Sequence, residues 1–316
     1  MKQVTIRQTA DILRTHNNYV ILTHRRPDGD TLGSAAALCS ALRRMGKRAV
    51  LLRNGGATER YLPYCERFFT RRGFQITNEY IITVDVASLN MLGDRLPQRI
   101  DLAIDHHSSN TMFGENVLLD GTASACGEII LEVIKALCGN VTQEEANALY
   151  VALSTDTGCF QYGNTNAASF RAAAQLCDYG AEIAKINLAM FRTFSPARIK
   201  VEASLMSNLI TAQDGKVQVA VLTRELINSF GATEEDVDDM ASLPGKVAGT
   251  QVGVLIKEND KGFAKLSLRS TGEVNVSEIC AKFGGGGHAM AAGCELEVAP
   301  MDAVPVILEA IGEAYK

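Results

Sequence analysis

The chain has 316 residues, with 31 Lys and Arg against 36 Asp and Glu, a net charge of −5 and 47% hydrophobic residues. That length suits two domains of ordinary size with cores that need no disulfide. The composition excludes a disordered chain, and the charge argues against a protein that coats long nucleic acid through many Lys and Arg contacts to phosphates. The eight cysteines include no CxxC pair, so they lack zinc-ligand spacing and read as free, mostly buried thiols of a reducing compartment. No apolar run approaches the roughly 18 residues of a membrane span, and the N-terminus lacks the apolar stretch of a secretion signal. The expected location is the cytoplasm.

In chain order, residues 1–18 carry Ile6, Ala10 and Leu13 at helical spacing. A short apolar strand follows at 19–23, then a helix over 33–45 ended by Gly46, then a strand at 49–52. Further strands are expected at 80–85 and 101–105, and helices over 125–137, 143–154 and 166–179, the last capped by Thr165. Apolar strands alternating with helices predict an α/β domain over 1–190, with a mainly parallel sheet and helices on both faces. Near 194–197 the pattern breaks, and a connecting helix over 198–211 falls in a linker region, 191–212. Residues 213–316 read as a smaller mixed α/β domain. Its strands are expected at 217–222, 251–257, 262–268 and 294–298, with a helix over 276–283 and another after Pro300.

The chemistry begins where the 19–23 strand ends. His24, Asp28 and Asp30 lie within seven residues. Pro27 favours an extended Arg26 and Gly29 permits a tight turn, so this segment should curl off the sheet before the helix starts. One imidazole and two carboxylates suit a divalent Mn, Fe or Co ion, with Mg an alternative; Asp30 alone would serve equally as a helix cap. Asp85 closes a second strand, and Asp105, His106 and His107 close a third. In an open parallel sheet ligands lie beyond the carboxyl ends of the strands, so three strands deliver polar groups to one edge. Asp156, in the STDTG stretch of 154–158, is either a fourth contribution or a turn residue. Of the five histidines, His16 reads as a surface residue and the other four fall in the segments singled out. Gly284, Gly285, Gly286 and Gly287 form a run whose backbone N–H groups can surround an anion, to which His288 adds a donor. Arg269 is either an exposed charge at a strand end or an anion contact.

Taken in order, the HxxxDxD of His24, Asp28 and Asp30, then Asp85, then Asp105, His106 and His107, then Asp156 resemble the motif set of the DHH phosphoesterase superfamily. The GGGGHAMAAG stretch beginning at Gly284 resembles the signature of the DHH-associated second domain. Together the motifs cover nearly the whole chain, and it is most similar to the stand-alone oligoribonuclease/pAp phosphatase branch, the nanoRNases. The resemblance implies a two-metal site, with His24 and Asp28 on one ion, Asp30, His106 and Asp156 on the other, and Asp85 between them. Mn²⁺ is the usual metal of the family, with Mg²⁺ or Co²⁺ as alternatives. Two such ions lower the pKa of a shared water and clamp the attacking and leaving oxygens. Asp105 would then orient a histidine through its ring N–H. His107 would face the substrate, either donating a hydrogen bond to the phosphoryl group or assisting the leaving oxygen. The glycine run and His288 would bind a terminal phosphate or nucleotide across a cleft from the metals, and Arg269 matches a family position that contacts phosphate. Many relatives carry Arg where this chain has Gln161, a departure that bears on substrate preference rather than on metal chemistry.

The expected substrates are RNA fragments of about two to five nucleotides and 3′-phosphoadenosine-5′-phosphate, attacked in line at phosphorus to give 5′-nucleotides or phosphate. Nucleases of the RecJ type that process long strands carry further domains and basic grooves, and type II inorganic pyrophosphatases lack the GGGGH loop. A cyclic- or linear-dinucleotide phosphodiesterase of the same superfamily is an alternative that the motifs do not separate. A nucleotide sensor without catalysis ranks low, because every expected ligand is present. Long duplex nucleic acid and membranes are not expected partners. A homodimer is common among the proteins it resembles, without a signal of its own in this sequence. The two domains are expected to open and close around substrate.

Overall fold

The computed structural model describes residues 1–53, 56–93 and 97–315. It divides into two compact units, Met1–Thr193 and Phe194–Lys316. The first unit runs β1 (Lys2–Gln3), α1 (Ile6–Thr15), β2 (Asn18–Leu22), α2 (Gly29–Arg44), β3 (Arg48–Leu51) and the single turn α3 (Leu62–Cys65). It continues through β4 (Tyr80–Val84), β5 (Leu102–Asp105) and β6 (Asn116–Leu119) to α4 (Cys126–Cys138), α5 (Gln143–Asp156), α6 (Ala167–Asp178) and α7 (Ile183–Asn187).

Its strands pair in the order β1-β6-β5-β4-β2-β3, every pairing parallel. The apolar runs are buried on both sides, as a parallel sheet requires. Ile21, Ile82, Val84, Leu102 and Ile104 pack against the helices, while Val20, Leu22, Ile81, Ala103 and Val117 fill a second core on the opposite face. The helical cover is uneven. The α-helices contribute to the first core, and the second is closed by the 3₁₀ turn Leu89–Leu92 and by loop residues such as Phe74, Ile76 and Phe113.

Three local details depart from the sequence reading. β1 and β6 are added strands; β6 offers only four residues between polar flanks, and β1 takes residues otherwise read as the start of the first helix, which begins at Ile6 behind a Thr5–Gln8 capping box. α2 begins at Gly29 rather than at 33, because Asp28 caps it by accepting from the Thr31 N–H. α6 is capped by Asn166 rather than Thr165; its side chain accepts from both Ala168 N–H and Ser169 N–H.

The approach of α2 to α5 depends on missing side chains. A Cβ on Gly29 would lie 2.3 Å from Thr155 Oγ1, and one on Gly33 would lie 2.3 Å from the Ala148 carbonyl oxygen. That close packing sets the start of α2, carrying Asp30, beside the end of α5, carrying Asp156.

The second unit comprises α8 (Pro196–Ser207), β7 (Ile210–Ala212), β8 (Val217–Leu222), α9 (Arg224–Ser229), α10 (Glu234–Val237), β9 (Val252–Glu258) and β10 (Ala264–Ser270). α11 (Val276–Ala281), β11 (Gly286–His288), β12 (Ala291–Leu296) and α12 (Pro300–Glu313) complete it. Its sheet, β11-β12-β10-β9-β8-β7, is mixed, with β8 and β9 parallel and the remaining pairs antiparallel. α8, read from sequence as a connector reaching 211, stops at Ser207 and buries Val201 and Leu205 against Ala220 and Leu222 of this unit. Part of the glycine run is not a free loop, since Gly286, Gly287 and His288 pair with Gly293, Ala292 and Ala291.

Candidate metal centre

The carboxyl edge of the first sheet gathers the side chains in question. His24 follows β2, Asp28 and Asp30 open α2, Asp85 follows β4, Asp105 ends β5 with His106 and His107 after it, and Asp156 is the last residue of α5. They form three groups able to hold a metal ion: His24, Asp28 and Asp85; Asp30, His106 and Asp156; and Asp85, His106 and His107. Asp85 faces two ways. Its Oδ2 lies 3.7 Å from His24 Nε2, whereas its Oδ1 lies 3.5 Å from both His106 Nε2 and His107 Nδ1. His24 Nε2 is also 3.7 Å from Asp28 Oδ2, and His106 Nε2 is 3.7 Å from Asp30 Oδ2 and 3.9 Å from Asp156 Oδ2.

The electrostatics are those of a site with surplus negative charge. Burial and the charges of Asp85 and Asp156 push the Asp30 carboxyl well up. Burial pushes Asp156 up to about 7, against the pull of His106. Burial would raise Asp85 too, but the His106 and His24 imidazoles beside it hold it well below the usual carboxylate range. Burial would lower His24 and His106; their neighbouring carboxylates, Asp28 and Asp85 for His24 and chiefly Asp85 for His106, instead raise each to about 10. Protons on imidazoles thus do part of the neutralising that a cation would do.

Asp85 carries two further marks. It is 3% exposed and its Oδ1 has no hydrogen-bond donor, although a buried carboxylate oxygen without a donor is costly. Its φ is 60°, in the left-handed region that non-glycine residues rarely adopt. The donor set, two imidazoles and four carboxylates around an orphaned buried oxygen, fits hard-to-borderline divalent cations.

Supporting groups hold these side chains in place; apart from Asp105, expected to orient a histidine, sequence reasoning missed them. Asp30, 1% exposed, accepts from Ser34 Oγ at 2.9 Å and from the Cys126 and Gly127 N–H groups at 2.6 and 3.0 Å, so its carboxyl group sits at the N-terminus of α4. His106 Nδ1 lies 3.1 Å from the Ala123 carbonyl, which aims Nε2 at the carboxylates. Asp105 is fully buried; its Oδ1 bonds His107 Nδ1 at 2.8 Å and its Oδ2 accepts from Asn110 Nδ2 at 2.6 Å. Asn164 Nδ2 donates to the Asp156 carbonyl and to its Oδ2. Nothing periodic marks Asn110 or Asn164 in the sequence. Their meaning lies in partners that only the folded chain supplies.

The remaining predicted site residues belong to the second unit. Arg269 is in β10, where its Nη1 donates to the Leu268 carbonyl. Gly284 and Gly285 follow α11, and Gly286, Gly287 and the exposed His288 form β11. Gly284 and Gly287 adopt φ values of 72° and 149°.

The fold and this edge place the chain among the phosphoesterases, enzymes that hydrolyse phosphate esters. It belongs to the DHH family: the DHH family N-terminal domain matches residues 18–153 and the DHHA1 domain matches residues 214–316. It is 30% identical over 311 residues, 98% of this chain and 94% of the relative, to the bifunctional oligoribonuclease and PAP phosphatase NrnA of Thermus thermophilus. Identity to the Bacillus subtilis protein of the same name is 25% over 300 residues, 91% of this chain and 93% of the relative. An exopolyphosphatase-related protein from Bacteroides fragilis shares the fold, with a TM-score of 0.89 at 23% identity over 98% of this chain and 95% of that one. Among the described residues no helix is long and apolar enough to cross a membrane.

Proposed function

We infer that the chain is a two-metal hydrolase of RNA fragments of about two to five nucleotides, releasing 5′-mononucleotides, and of 3′-phosphoadenosine-5′-phosphate, releasing AMP and phosphate. The observation that carries the metal reading is the divided Asp85 carboxylate, with Oδ2 toward His24 and Oδ1 toward His106. The substrate classes rest on the printed activities of relatives that match this chain over nearly its full length. In this reading His24, Asp28 and Asp85 hold one cation, and Asp30, His106, Asp156 and Asp85 the other, Mn²⁺ in the first instance with Mg²⁺ or Co²⁺ as alternatives. Two cations bound there supply Lewis acidity to the attacking and leaving oxygens of an in-line displacement.

The protein's own groups do the positioning. Burial would lower the pKa of His107, but the hydrogen bond to Asp105 and the charge of Asp85 raise it. With Nδ1 committed to Asp105, Nε2–H is left to donate to a phosphoryl oxygen. The same Nε2 serves either role open to His107 in the sequence, a hydrogen bond to the phosphoryl group or assistance to the leaving oxygen. Arg269, Gly284, Gly285, Gly286, Gly287 and His288 bind the terminal phosphate or nucleotide through backbone and side-chain donors. The work is cytoplasmic.

The test strips the protein with chelator and follows mononucleotide release from pApA and phosphate release from 3′-phosphoadenosine-5′-phosphate, with and without Mn²⁺. Turnover that needs the metal and is absent in Asp85→Ala is expected. Activity indifferent to chelator overturns the metal reading, and turnover confined to a cyclic dinucleotide overturns the substrate reading.

A further inference from the structure

The loop that follows Asp156 sets one aromatic ring beside the metal centre with a face to spare. Thr157, fully buried, organises the turn: its carbonyl accepts the Gln161 and Tyr162 N–H groups at 2.9 and 3.0 Å, and its Oγ1 accepts the Phe160 N–H at 3.1 Å. Gly158, Cys159 and Phe160 pass in succession through the left-handed region, with φ of 56°, 56° and 65°. Non-glycine residues hold that conformation only where their surroundings fix it, and Phe160 is fixed by stacking on Phe170 with ring centroids 5.4 Å apart. The far end of the loop returns to Asp156, because Asn164 Nδ2 donates to its carbonyl and its Oδ2 at 3.1 and 3.3 Å. Between these ties Tyr162 folds back over Gly158. A Cβ on Gly158 would lie 2.4, 2.5 and 2.6 Å from Tyr162 Cζ, Cε1 and Cε2. A point so nearly equidistant from three neighbouring ring carbons lies above the ring, so one face of Tyr162 rests on the bare glycine. The other face is open, and the residue is 54% exposed.

We propose that Tyr162 is a stacking platform for a nucleobase of the substrate, and so selects nucleotides over phosphate esters that carry no base. The choice of a nucleotide as occupant rests on the function proposed above; the open ring face does not. A flat, rigid π surface takes any base, because every base offers a face, and it does so at little cost in side-chain freedom once the ring is already seated. The position suits the task. Gly158 lies two residues beyond Asp156, and a nucleotide whose phosphorus is held among the clustered carboxylates carries its base one sugar away. Tyr150 in the same unit shows the opposite use of the side chain. It is 2% exposed, its ring belongs to the core and its hydroxyl bonds Asn187 Oδ1 at 3.1 Å. Tyr162 instead spends one face on a glycine backbone and presents the other.

The chain contains no tryptophan, so Tyr162→Trp places a single reporter at the platform. In the full chain with Mn²⁺, AMP should quench its emission to saturation and ribose 5-phosphate should leave it unchanged. Equal responses to the two, or none to either, overturn the proposal. So does emission that varies with protein concentration alone, which would assign Tyr162 to a contact between copies. Kinetics give a second reading. Tyr162→Leu fills the space over Gly158 without a π face and should raise KM for pApA roughly tenfold, with kcat and the Mn²⁺-induced rise in Tm unaltered. Tyr162→Phe should keep the wild-type KM. A Leu variant as good as wild type, or a Phe variant as poor as Leu, overturns stacking; if the Leu variant misfolds, the tryptophan emission decides alone. Absence of Mn²⁺-dependent turnover in the wild type would strike the functional reading, while quenching by AMP and not by ribose 5-phosphate would still establish the platform.

Discussion

The two ends of the first sheet each hold a buried aspartate beside a strand terminus, and the chain treats the two in opposite ways. Asp101, before β5 at the amino edge, is 4% exposed; its Oδ2 accepts the Ile81 N–H at 2.7 Å and its Oδ1 pairs with Arg99 Nε at 2.9 Å. Asp85, after β4 at the carboxyl edge, is 3% exposed, strained at φ 60°, and keeps Oδ1 without a donor. Burying a charge is tolerable when the fold supplies its partners and costly when it does not. Asp101 is completed by its own chain, which makes it a joint between neighbouring strands. Asp85 has imidazoles beside it, yet its buried Oδ1 receives no hydrogen bond from them. Strain and unpaired polarity kept at one edge and avoided at the other are what separates a functional carboxylate from a structural one of equal burial.

Exchanging the two residues' fates is the sharpest way to break that contrast. Asp85→Ala should lower kcat/KM by roughly a thousandfold or more, about 4 kcal/mol of transition-state stabilisation, with the fold retained by circular dichroism; an active Asp85→Ala would remove the basis of the comparison. Metal binding gives the next largest effect. Mn²⁺ at about a hundred times its Kd stabilises the folded state by roughly 2.7 kcal/mol, read as a rise of several degrees in Tm that Asp85→Ala abolishes. Asp101→Ala should do the converse. It leaves the Ile81 N–H unpaired and costs about 1–3 kcal/mol of stability in denaturant titration, while the turnover of the folded fraction and its Mn²⁺ dependence stay at wild-type values.

The same contrast explains how much could be read from the sequence. His24, Asp28, Asp30, Asp85, Asp105, His106 and His107 stand out because strand ends are marked by apolar runs, and polar groups that follow such runs share an edge by topology alone; Asp156, at the end of α5, was legible only as a fourth contribution or a turn residue. Asp101 opens one of those same runs, yet nothing local distinguishes a partnered aspartate from an orphaned one; that difference is made by Arg99 and by the Ile81 backbone. The start of α2 was hidden because Pro27 and Gly29 signal a turn, and only the Asp28 cap shows that the helix has already begun. β6 was hidden because Asn116–Leu119 is too short to show alternation and is held by its neighbours β1 and β5. The Cys126 and Gly127 N–H groups that hold Asp30 carry no side-chain signal at all.

Asn110 tests how far the supporting network reaches, with the smallest effect. Its Nδ2 bridges Asp105 Oδ2 at 2.6 Å and the Val86 carbonyl at 3.1 Å, and its Oδ1 accepts the Met112 N–H at 2.7 Å. It touches none of the clustered metal-ligand atoms; it holds the carboxylate that holds His107. Asn110→Ala frees Asp105 to rotate, so the ring of His107 loses its fixed orientation while His24, Asp28, Asp30, Asp85, His106 and Asp156 keep theirs. Outer groups of this kind cost roughly tenfold or more when removed. The loss should fall on kcat, with the Mn²⁺-induced Tm shift intact. A matching loss of the Tm shift would instead assign Asn110 to holding the metal ligands, and would extend the functional edge of the sheet into the loop beyond β5.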